Sequence, residues 1–359
     1  MSLLRIGILG ATGMVGQRFV TLLAQHPWFR IEVLGASARS AGKTYEEAVS
    51  GRWRMEEPLP ECVRHMPVLD AVADAEIIAR MVDLVFCAVD MNKSEVRALE
   101  ERYALLECPV ISNNSAHRTT PDVPMVIPEV NPSHCDVIPA QRARLGTKRG
   151  FIAVKSNCSI QSYVPPLTPL LPLRPTRVAV SMYQAVSGAG KTLDTWPQMR
   201  DNIIPFIGGE EQKSEAEPLK VWGEVRGGVI VPAELPLISA QCIRVPVSDG
   251  HMAAVFASFA RTAEPEEMKQ MMRAYRGEPQ QLGLPSAPKQ FLHVFDEDDR
   301  PQTLPDRMLE NGMAIAVGRL RRDSLFDVKF VSLSHNTLRG AAGGGVLLAE
   351  LLCAKGYLT

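Results

Sequence analysis

A glycine-rich turn near the N-terminus constrains the fold of this chain more than any other feature. Leu4 to Gly10 read as a short buried strand, residues 10–16 form the turn, and Gln17 to His26 read as an amphipathic helix. The glycine spacing is G-x-x-G-x-x-G. A strand, a glycine turn and a helix in this order are typical of the first unit of a dinucleotide-binding domain.

Each glycine of the turn has a predicted task. Gly10 and Gly13 can take a positive φ and let the backbone approach a pyrophosphate, and Gly16 would let the helix pack closely on the strand. The helix N-terminus adds free N–H groups and a partial positive charge. The predicted cofactor contacts at this turn are Gly10, Thr12, Gly13, Met14, Val15 and Gly16.

The segment after the second predicted strand, Ile31–Ala36, indicates which dinucleotide is bound. An enzyme that uses NAD would place Asp or Glu there to bind the ribose 2′-hydroxyl. This chain has Ser37, Arg39, Ser40 and Lys43 instead. Hydroxyls and cations suit a 2′-phosphate, so the segment predicts NADP as the cofactor. A solvated basic loop is the alternative interpretation.

Further buried runs extend this first domain. Leu84–Val89 and Pro109–Asn113 read as parallel strands, with a helix near Ser94–Ala104 between them. The N-terminal part of the chain is therefore predicted to be a Rossmann-like α/β domain.

Length and composition exclude several classes of protein. A chain of 359 residues is long enough for two domains. The net charge of −1 gives no global field that would attract nucleic acid or a membrane surface, and no apolar run reaches the length of a membrane span. Seven cysteines without a Cys-x-x-Cys pair favour reduced thiols in a cytoplasm and predict no structural metal. The N-terminus shows no secretion signal.

Cys158 is the candidate nucleophile. It lies in Lys155-Ser156-Asn157-Cys158-Ser159, after an apolar stretch and before an expected helix start. Only a few per cent of an ordinary thiol is ionised at neutral pH, and a helix N-terminus or a nearby His would raise that fraction. Pro165 and Pro166 predict that the helix after Cys158 is short. A buried structural cysteine is the alternative.

Other polar residues in the second half of the chain suit a small charged substrate. Gln184 precedes a loop of small residues, and Arg244 can clamp a carboxylate in bidentate fashion. His251, which opens a strand from Met252 to Ala260, can hold a proton and return it. The run from Glu210 to Lys213 could meet a zwitterion, although such a run is usually a solvated helix face.

Five segments, taken together and in order, resemble the aspartate-semialdehyde dehydrogenase family, and most closely its archaeal and fungal branch. The resemblance extends over essentially the full chain. The segments are Gly10–Gly16, Ser156–Ser159, Tyr183–Gly190, Arg244–His251 and His335–Gly345.

The resemblance implies a role for each matching residue. Cys158 would be the nucleophile, His251 the general acid/base, and Gln184 the residue that orients the acyl group. The substrate residues would be Arg118 and Lys213 at the phosphate, Arg244 at the α-carboxylate, Glu211 at the amino group and Asn157 beside the nucleophile. Ser187, Gly188 and Asn336 would touch the cofactor.

The implied reaction is NADPH-dependent reduction of 4-phospho-L-aspartate to L-aspartate 4-semialdehyde through a thioester on Cys158, in lysine, threonine and methionine biosynthesis. The implied architecture is a dinucleotide-binding domain over 1–156, an α+β catalytic and dimerisation domain with a mixed sheet over 157–334, and a C-terminal helix over 335–359 that returns to the first domain. Family members are homodimers or homotetramers.

Three other functions share part of this pattern. An acyl-CoA reductase, such as malonyl-CoA reductase, would use the same Cys and His and release CoA. N-acetyl-glutamyl-phosphate reductase is disfavoured because its Ser-Asn-Pro-Gly-Cys stretch is absent. A non-catalytic NADP-binding regulator would be expected to have lost Cys158, His251 or Arg244, and all three are present.

Overall fold

The computed structural model describes residues 3–358. Residues 1–2 of the predicted first domain and residue 359 of the predicted C-terminal segment lie outside the described residues. Its first sheet has seven strands, all paired in parallel, in the order β3-β2-β1-β4-β5-β7-β6. The strands are β1 Leu4–Leu9, β2 Phe29–Ala36, β3 Val68–Asp70, β4 Leu84–Cys87, β5 Val110–Ser112, β6 Met125–Val126 and β7 Ile152–Lys155.

Helices cover this sheet, which explains why strands such as β4 and β7 are buried along their whole length. Capping boxes fix the starts of two of them, at Thr44 and Asn92. The helices of this region are α1 Met14–Leu23, α2 Tyr45–Val49, α3 Glu61–Arg64, α4 Ala75–Met81, α5 Lys93–Leu105 and α6 Ile138–Leu145, with a 3₁₀ helix at Pro132–Val137.

The second sheet is mixed and has the order β11-β8-β12-β15-β14-β13. The pairs β8–β11 and β13–β14 are parallel, and the other three are antiparallel. Its strands are β8 Pro175–Gln184, β11 Leu237–Arg244, β12 His251–Phe259, β13 Leu292–Val294, β14 Ile315–Arg322 and β15 Val328–Ser334; a separate hairpin contains β9 Glu224–Arg226 and β10 Val229–Val231. The predicted fold class, a Rossmann-like sheet plus a second mixed sheet, is confirmed.

The remaining helices flank the second sheet and close the chain. They are α7 Val164–Leu167, α8 Glu210–Val221, α9 Pro265–Ala274, α10 Glu278–Leu282, α11 Thr303–Asp306 and α12 Gly343–Ala354. Short 3₁₀ helices lie at Ile160–Ser162, Thr168–Leu173, Val186–Ala189, Pro197–Met199 and Leu309–Gly312, and a π-helical turn spans Leu338–Ala342. None of the helices described between residues 3 and 358 has the length and apolarity that a membrane span needs.

The C-terminal helix α12 packs on the first sheet. Its apolar residues, including Val346 and Leu351, share a core with Ile6 of β1 and Phe19 of α1. The division of the chain into segments ending at residues 156 and 334 remains a prediction.

The glycine turn differs in one respect from the sequence expectation. Gly10 has φ of +85°, as expected, but Gly13 has φ of −79° and serves as the N-cap of α1. The helix therefore begins at Met14, three residues earlier than the amphipathic pattern predicted. Gly16 has the predicted packing role, because a Cβ there would lie 2.1 Å from the carbonyl oxygen of Gly10.

Candidate active site

A pocket of about 300 Å³ brings together six of the polar residues that the sequence singled out, namely Arg118, Asn157, Cys158, Ser187, Lys213 and Asn336. One part of its wall follows the first sheet and includes Arg118, after β5, and Cys158, after β7. Another part follows the second sheet and includes Ser187, after β8, and Asn336, after β15. The pocket is therefore assembled from chain segments far apart in sequence.

Asn157 fixes the turn that presents Cys158. Its side-chain oxygen accepts hydrogen bonds from the N–H of Ser159 (2.7 Å) and from its hydroxyl (2.8 Å), while its own N–H donates to Glu217 at 2.6 Å. From the other side, a Cβ at Gly340 would lie 2.8 Å from the Cβ of Cys158. The thiol is half-buried and directed into the pocket.

His251 faces the thiol. Its Nε2 lies 3.5 Å from Sγ of Cys158, and its Nδ1 accepts a hydrogen bond from the N–H of Ala185 at 3.1 Å. Because Nδ1 is an acceptor, the neutral ring carries its proton on Nε2, towards the sulfur. Burial, reinforced by the nearby Arg244, lowers the pKa of His251 to about 3, so the ring is neutral at physiological pH.

The sulfur is subject to opposing influences. Burial, followed by the nearby carboxylate of Glu210, raises the pKa of the Cys158 thiol. The cationic groups of Lys155, Arg118 and Arg244 act in the opposite direction, with Lys155 the strongest of the three. A reactive thiolate at this position therefore depends on neighbouring cations.

Two arginines are held rigidly by acceptors. Arg118 donates from its three side-chain nitrogens to Glu217, to the carbonyl of Lys155 and to the carbonyl of Asn113, each at 3.0 Å. Arg244 donates to the carbonyl of Ala185 at 2.6 Å. Such fixed, always charged groups are suited to binding carboxylate or phosphate.

Gly188 leaves room beside Arg244 and His251. A Cβ added at Gly188 would lie 2.9 Å from Nη1 of Arg244 and 3.0 Å from the His251 ring. Asn336 links the same loop to the second sheet, because its amide donates to the Ser187 hydroxyl at 2.8 Å and accepts from the N–H of Gly250 at 2.8 Å. Ser187, Gly188 and Asn336 thus lie together in the pocket wall.

The acidic residue of the pocket is Glu210, whereas the sequence analysis had named Glu211. Glu210 pairs with Lys213 at 2.8 Å and accepts from the side-chain amides of Asn157 (3.2 Å) and Gln184 (3.4 Å). Glu211 points away, towards β11, and accepts there from the N–H of Cys242 at 3.2 Å. Adjacent residues on a helix differ by about 100° in direction, so only one of them can face the pocket.

A second cavity, of about 480 Å³, lies at the carboxyl ends of the first-sheet strands, where the strand order reverses between β1 and β4. This is the position at which parallel doubly wound sheets bind dinucleotides. Gly10, Thr12, Gly13, Ser37 and Arg39 line it. The backbone is open there because Gly10 and Gly13 carry no side chain, and the uncapped N-terminus of α1 offers N–H groups, so the residues present fit a dinucleotide.

The remaining residues predicted at the cofactor differ in position. Val15 lines the pocket that contains Cys158, and not the larger cavity, whereas Gly16 packs behind the turn. Met14 opens α1 and is not among the lining residues described for either cavity. Its backbone N–H is at the start of α1.

Ser40 and Lys43 do not take the predicted places. The N–H of Ser40 closes a turn on the carbonyl of Ser37 at 2.8 Å and the residue is buried, while Lys43 is exposed outside the cavity. Arg52, which sequence reasoning missed, lines the cavity together with Arg39. It belongs to the segment after α2, which has no periodic pattern or motif that could have revealed it.

Comparison with known proteins agrees with the geometry. The family model "Semialdehyde dehydrogenase, NAD binding domain" matches residues 5–138, and "Semialdehyde dehydrogenase, dimerisation domain" matches residues 166–339. Aspartate-semialdehyde dehydrogenases of Schizosaccharomyces pombe and Methanothermobacter thermautotrophicus are 46% and 44% identical, over 100% and 98% of this chain and 100% and 99% of theirs.

A solved structure agrees as well. The crystal structure of aspartate semialdehyde dehydrogenase with NADP from Candida albicans superposes with a TM-score of 0.89 at 40% identity, and covers 99% of this chain and 100% of that one. Identities of this size over the full length show common descent and a common fold. The chain belongs to the aspartate-semialdehyde dehydrogenase family.

Proposed function

We propose that this chain catalyses the NADPH-dependent reduction of 4-phospho-L-aspartate to L-aspartate 4-semialdehyde and phosphate. The observation that carries the proposal is the Cys158–His251 contact of 3.5 Å in a pocket that also contains Arg118, Lys213 and Glu210. This arrangement offers a nucleophile together with sites for anions and for an ammonium group. The product would serve lysine, threonine and methionine biosynthesis.

The substrate can be placed by charge. Arg244 is proposed to bind the α-carboxylate and Glu210 the α-ammonium group, in place of Glu211. Arg118 and Lys213 are proposed to bind the acyl phosphate, where charge develops as phosphate leaves. Because Glu210 already pairs with Lys213 at 2.8 Å, substrate binding would exchange this internal ion pair for contacts with the ligand.

The covalent step proposed for Cys158 is acyl transfer. The thiolate attacks the acyl carbon, the carbon–sulfur bond forms, and the carbon–oxygen bond to phosphate breaks with its electron pair leaving on phosphate. Asn157 holds the turn that carries the sulfur, and Gln184 is proposed to orient the acyl group. His251, with its proton on Nε2, donates to the sulfur or to the oxyanion that replaces the thioester carbonyl.

The cofactor supplies the hydride that reduces the thioester when NADPH is bound. Collapse of the resulting thiohemiacetal breaks the carbon–sulfur bond, returns the electron pair to Cys158 and releases the aldehyde. Gly10, Thr12 and Gly13 are proposed to bind the pyrophosphate, with the N–H groups at the start of α1, including those of Met14 and Val15. Ser37 and Arg39 are proposed at the 2′-phosphate, and Ser187, Gly188 and Asn336 beside the nicotinamide.

We also propose that the protein is a homodimer or homotetramer built through the second sheet. The matching dimerisation-domain model covers this region, and apolar side chains are exposed on its edge strand β11 and the adjacent β8, with Leu237 64% and Tyr183 37% accessible. Light scattering coupled to size exclusion gives the mass directly; a monomer at micromolar concentration would contradict the proposal. All seven cysteines are free thiols, which fits the proposed cytoplasmic location.

The reaction is best tested in the oxidative direction. Purified protein with aspartate semialdehyde, phosphate and NADP should form NADPH, and omission of phosphate should stop it. Malonate semialdehyde with CoA is the matched alternative, because an acyl-CoA reductase would turn over that pair and not the first. Cys158→Ala should abolish turnover and still bind NADP; turnover retained by this variant would contradict the covalent mechanism.

A further inference from the structure

Lys155 is a buried cation in the reaction pocket with no task in the reaction described so far. It is the last residue of β7, three positions before Cys158, and only 2% of it is exposed. It lines the pocket together with Cys158 and Arg118. Its backbone carbonyl accepts from Arg118, and its ammonium group donates to the carbonyl of Ser156.

Lys155 lacks the carboxylate counter-ion that Arg118 and Lys213, the other two cations lining the pocket, have. Arg118 pairs with Glu217 at 3.0 Å and Lys213 pairs with Glu210 at 2.8 Å. Within residues 3–358, no carboxylate forms an ion pair with Lys155. A buried ammonium group without a counter-ion is costly, so an anion formed next to it would offset part of that cost.

The charged groups facing Lys155 come from four segments. Glu217 of α8 favours its charged form, and Arg118 and Arg339 oppose it. Cys158, when ionised, also favours the charged form. Burial is nevertheless the largest influence and lowers the pKa of Lys155 to about 7, so that the amine changes charge close to neutral pH.

The thiol needs such a partner because His251 does not provide a cation. Its Nδ1 is occupied by the N–H of Ala185 and its pKa is about 3, so an imidazolium beside the sulfur is disfavoured. The thiolate must therefore be balanced by another positive group. Arg118 is already compensated by Glu217, and Arg244 acts less strongly on Cys158 than Lys155 does.

We propose that Lys155 is a positioning residue whose ammonium group balances the negative charge of the Cys158 thiolate. The proposal rests on the nucleophilic role proposed for Cys158. A positive charge at this place raises the ionised fraction of the thiol and thus the fraction of enzyme ready to attack the acyl phosphate. Once the thioester forms, the sulfur is neutral, and the thiolate is restored when the aldehyde leaves.

The test is the pH dependence of Cys158 alkylation by iodoacetamide, followed by mass spectrometry of the Cys158 peptide so that the other thiols do not interfere. Lys155→Met should raise the apparent pKa of the Cys158 thiol by about one unit and slow alkylation near neutral pH about tenfold. Lys155→Arg should restore the profile of the unchanged protein, because it restores the charge.

Lys220→Met is the matched control. Lys220 is also a buried lysine of this region, but it donates to the backbone carbonyls of Arg118, Thr120 and Val123 and does not line the pocket. An equal shift in Lys220→Met, or an unchanged profile in Lys155→Met that still binds NADP, would overturn the proposal. Lys155→Gln replaces the Met variant if that one does not fold.

Alkylation needs no substrate, so the two proposals can fail separately. A shifted alkylation profile without turnover of aspartate semialdehyde would contradict the proposed reaction and leave the role of Lys155 intact. Normal turnover of aspartate semialdehyde by the unchanged protein, with an unshifted alkylation profile in Lys155→Met, would contradict the role of Lys155 and leave the proposed reaction intact.

Discussion

The Nε2 atom of His251 lies 3.5 Å from the sulfur of Cys158. The backbone N–H of Ala185 donates to the other ring nitrogen, so the side of the ring that faces the sulfur is a hydrogen-bond donor. The arrangement separates two tasks at the thiol. His251 can stabilise an anion on sulfur or on the substrate oxygen, while the positive charge that favours thiolate formation comes from the cations of the pocket.

The first prediction concerns the tautomer of His251. Nitrogen-15 NMR of the histidine side chains should show His251 with its proton on Nε2 and no titration between about pH 5 and pH 8, because burial holds its pKa at about 3. Free imidazole in the same sample reports the pH change, and His251→Gln identifies the signal. A titration midpoint near 6.5, or a proton on Nδ1, would contradict the hydrogen-bond assignment.

The second prediction uses two neighbouring carboxylates as a matched pair. Glu210→Gln should lower kcat/KM for aspartate semialdehyde by about ten- to a hundredfold, because one charged contact to the substrate ammonium group is lost. Glu211→Gln should change it much less, since Glu211 accepts from the N–H of Cys242 outside the pocket. Steady-state kinetics give kcat/KM for both variants. A larger loss in Glu211→Gln than in Glu210→Gln would indicate that Glu211, as the sequence predicted, binds the substrate amino group.

The third prediction concerns cofactor selection. Arg39→Ala should raise KM for NADPH about tenfold, because a charge-assisted contact to the 2′-phosphate is removed, and should leave kinetics with NADH nearly unchanged. Lys43→Ala is the control, because Lys43 lies outside the cavity that Arg39 lines. Equal effects of the two variants would indicate that general charge, and not the position of Arg39, attracts the cofactor.

The fold class, and the placing of a thiol among polar residues at the end of a buried strand, could be predicted from sequence because they depend on local patterns. A glycine turn between a strand and a helix, and a thiol at the end of a buried strand, have chemical meanings that need no tertiary information. Gly13 shows the limit of such patterns. Its place in the motif suggested a positive φ, whereas the structure uses it as an extended N-cap.

The residues that sequence reasoning misplaced are those whose direction depends on packing. Glu210 and Glu211 are chemically identical, and only the placement of α8 against the second sheet decides which one enters the pocket. Arg52 reaches the cofactor cavity from a segment without a motif. Lys155 carries no signal in sequence either, because its charge is unusual only once burial is known.

The last prediction concerns stability. The pKa of Lys155 falls from 10.5 to about 7 on folding, so between these values the unfolded chain binds more protons than the folded one. This group therefore makes the free energy of unfolding rise with pH from about 7 to 10.5, and its destabilising effect is fully present below about pH 7. Lys155→Met removes that effect and should stabilise the protein by about 1–4 kcal/mol at neutral pH, the range typical when buried charges are replaced by apolar side chains.

The gain in Lys155→Met should shrink as the pH rises towards 10.5, and urea unfolding midpoints at several pH values measure it. Lys269→Met is the contrasting variant, because Asp296 raises the pKa of this surface lysine and its removal should not stabilise the fold. If Lys155→Met both stabilises the protein and slows alkylation of Cys158, then Lys155 serves the reactivity of the thiol at a cost in stability. A loss of stability that does not depend on pH would instead assign Lys155 to the support of β7.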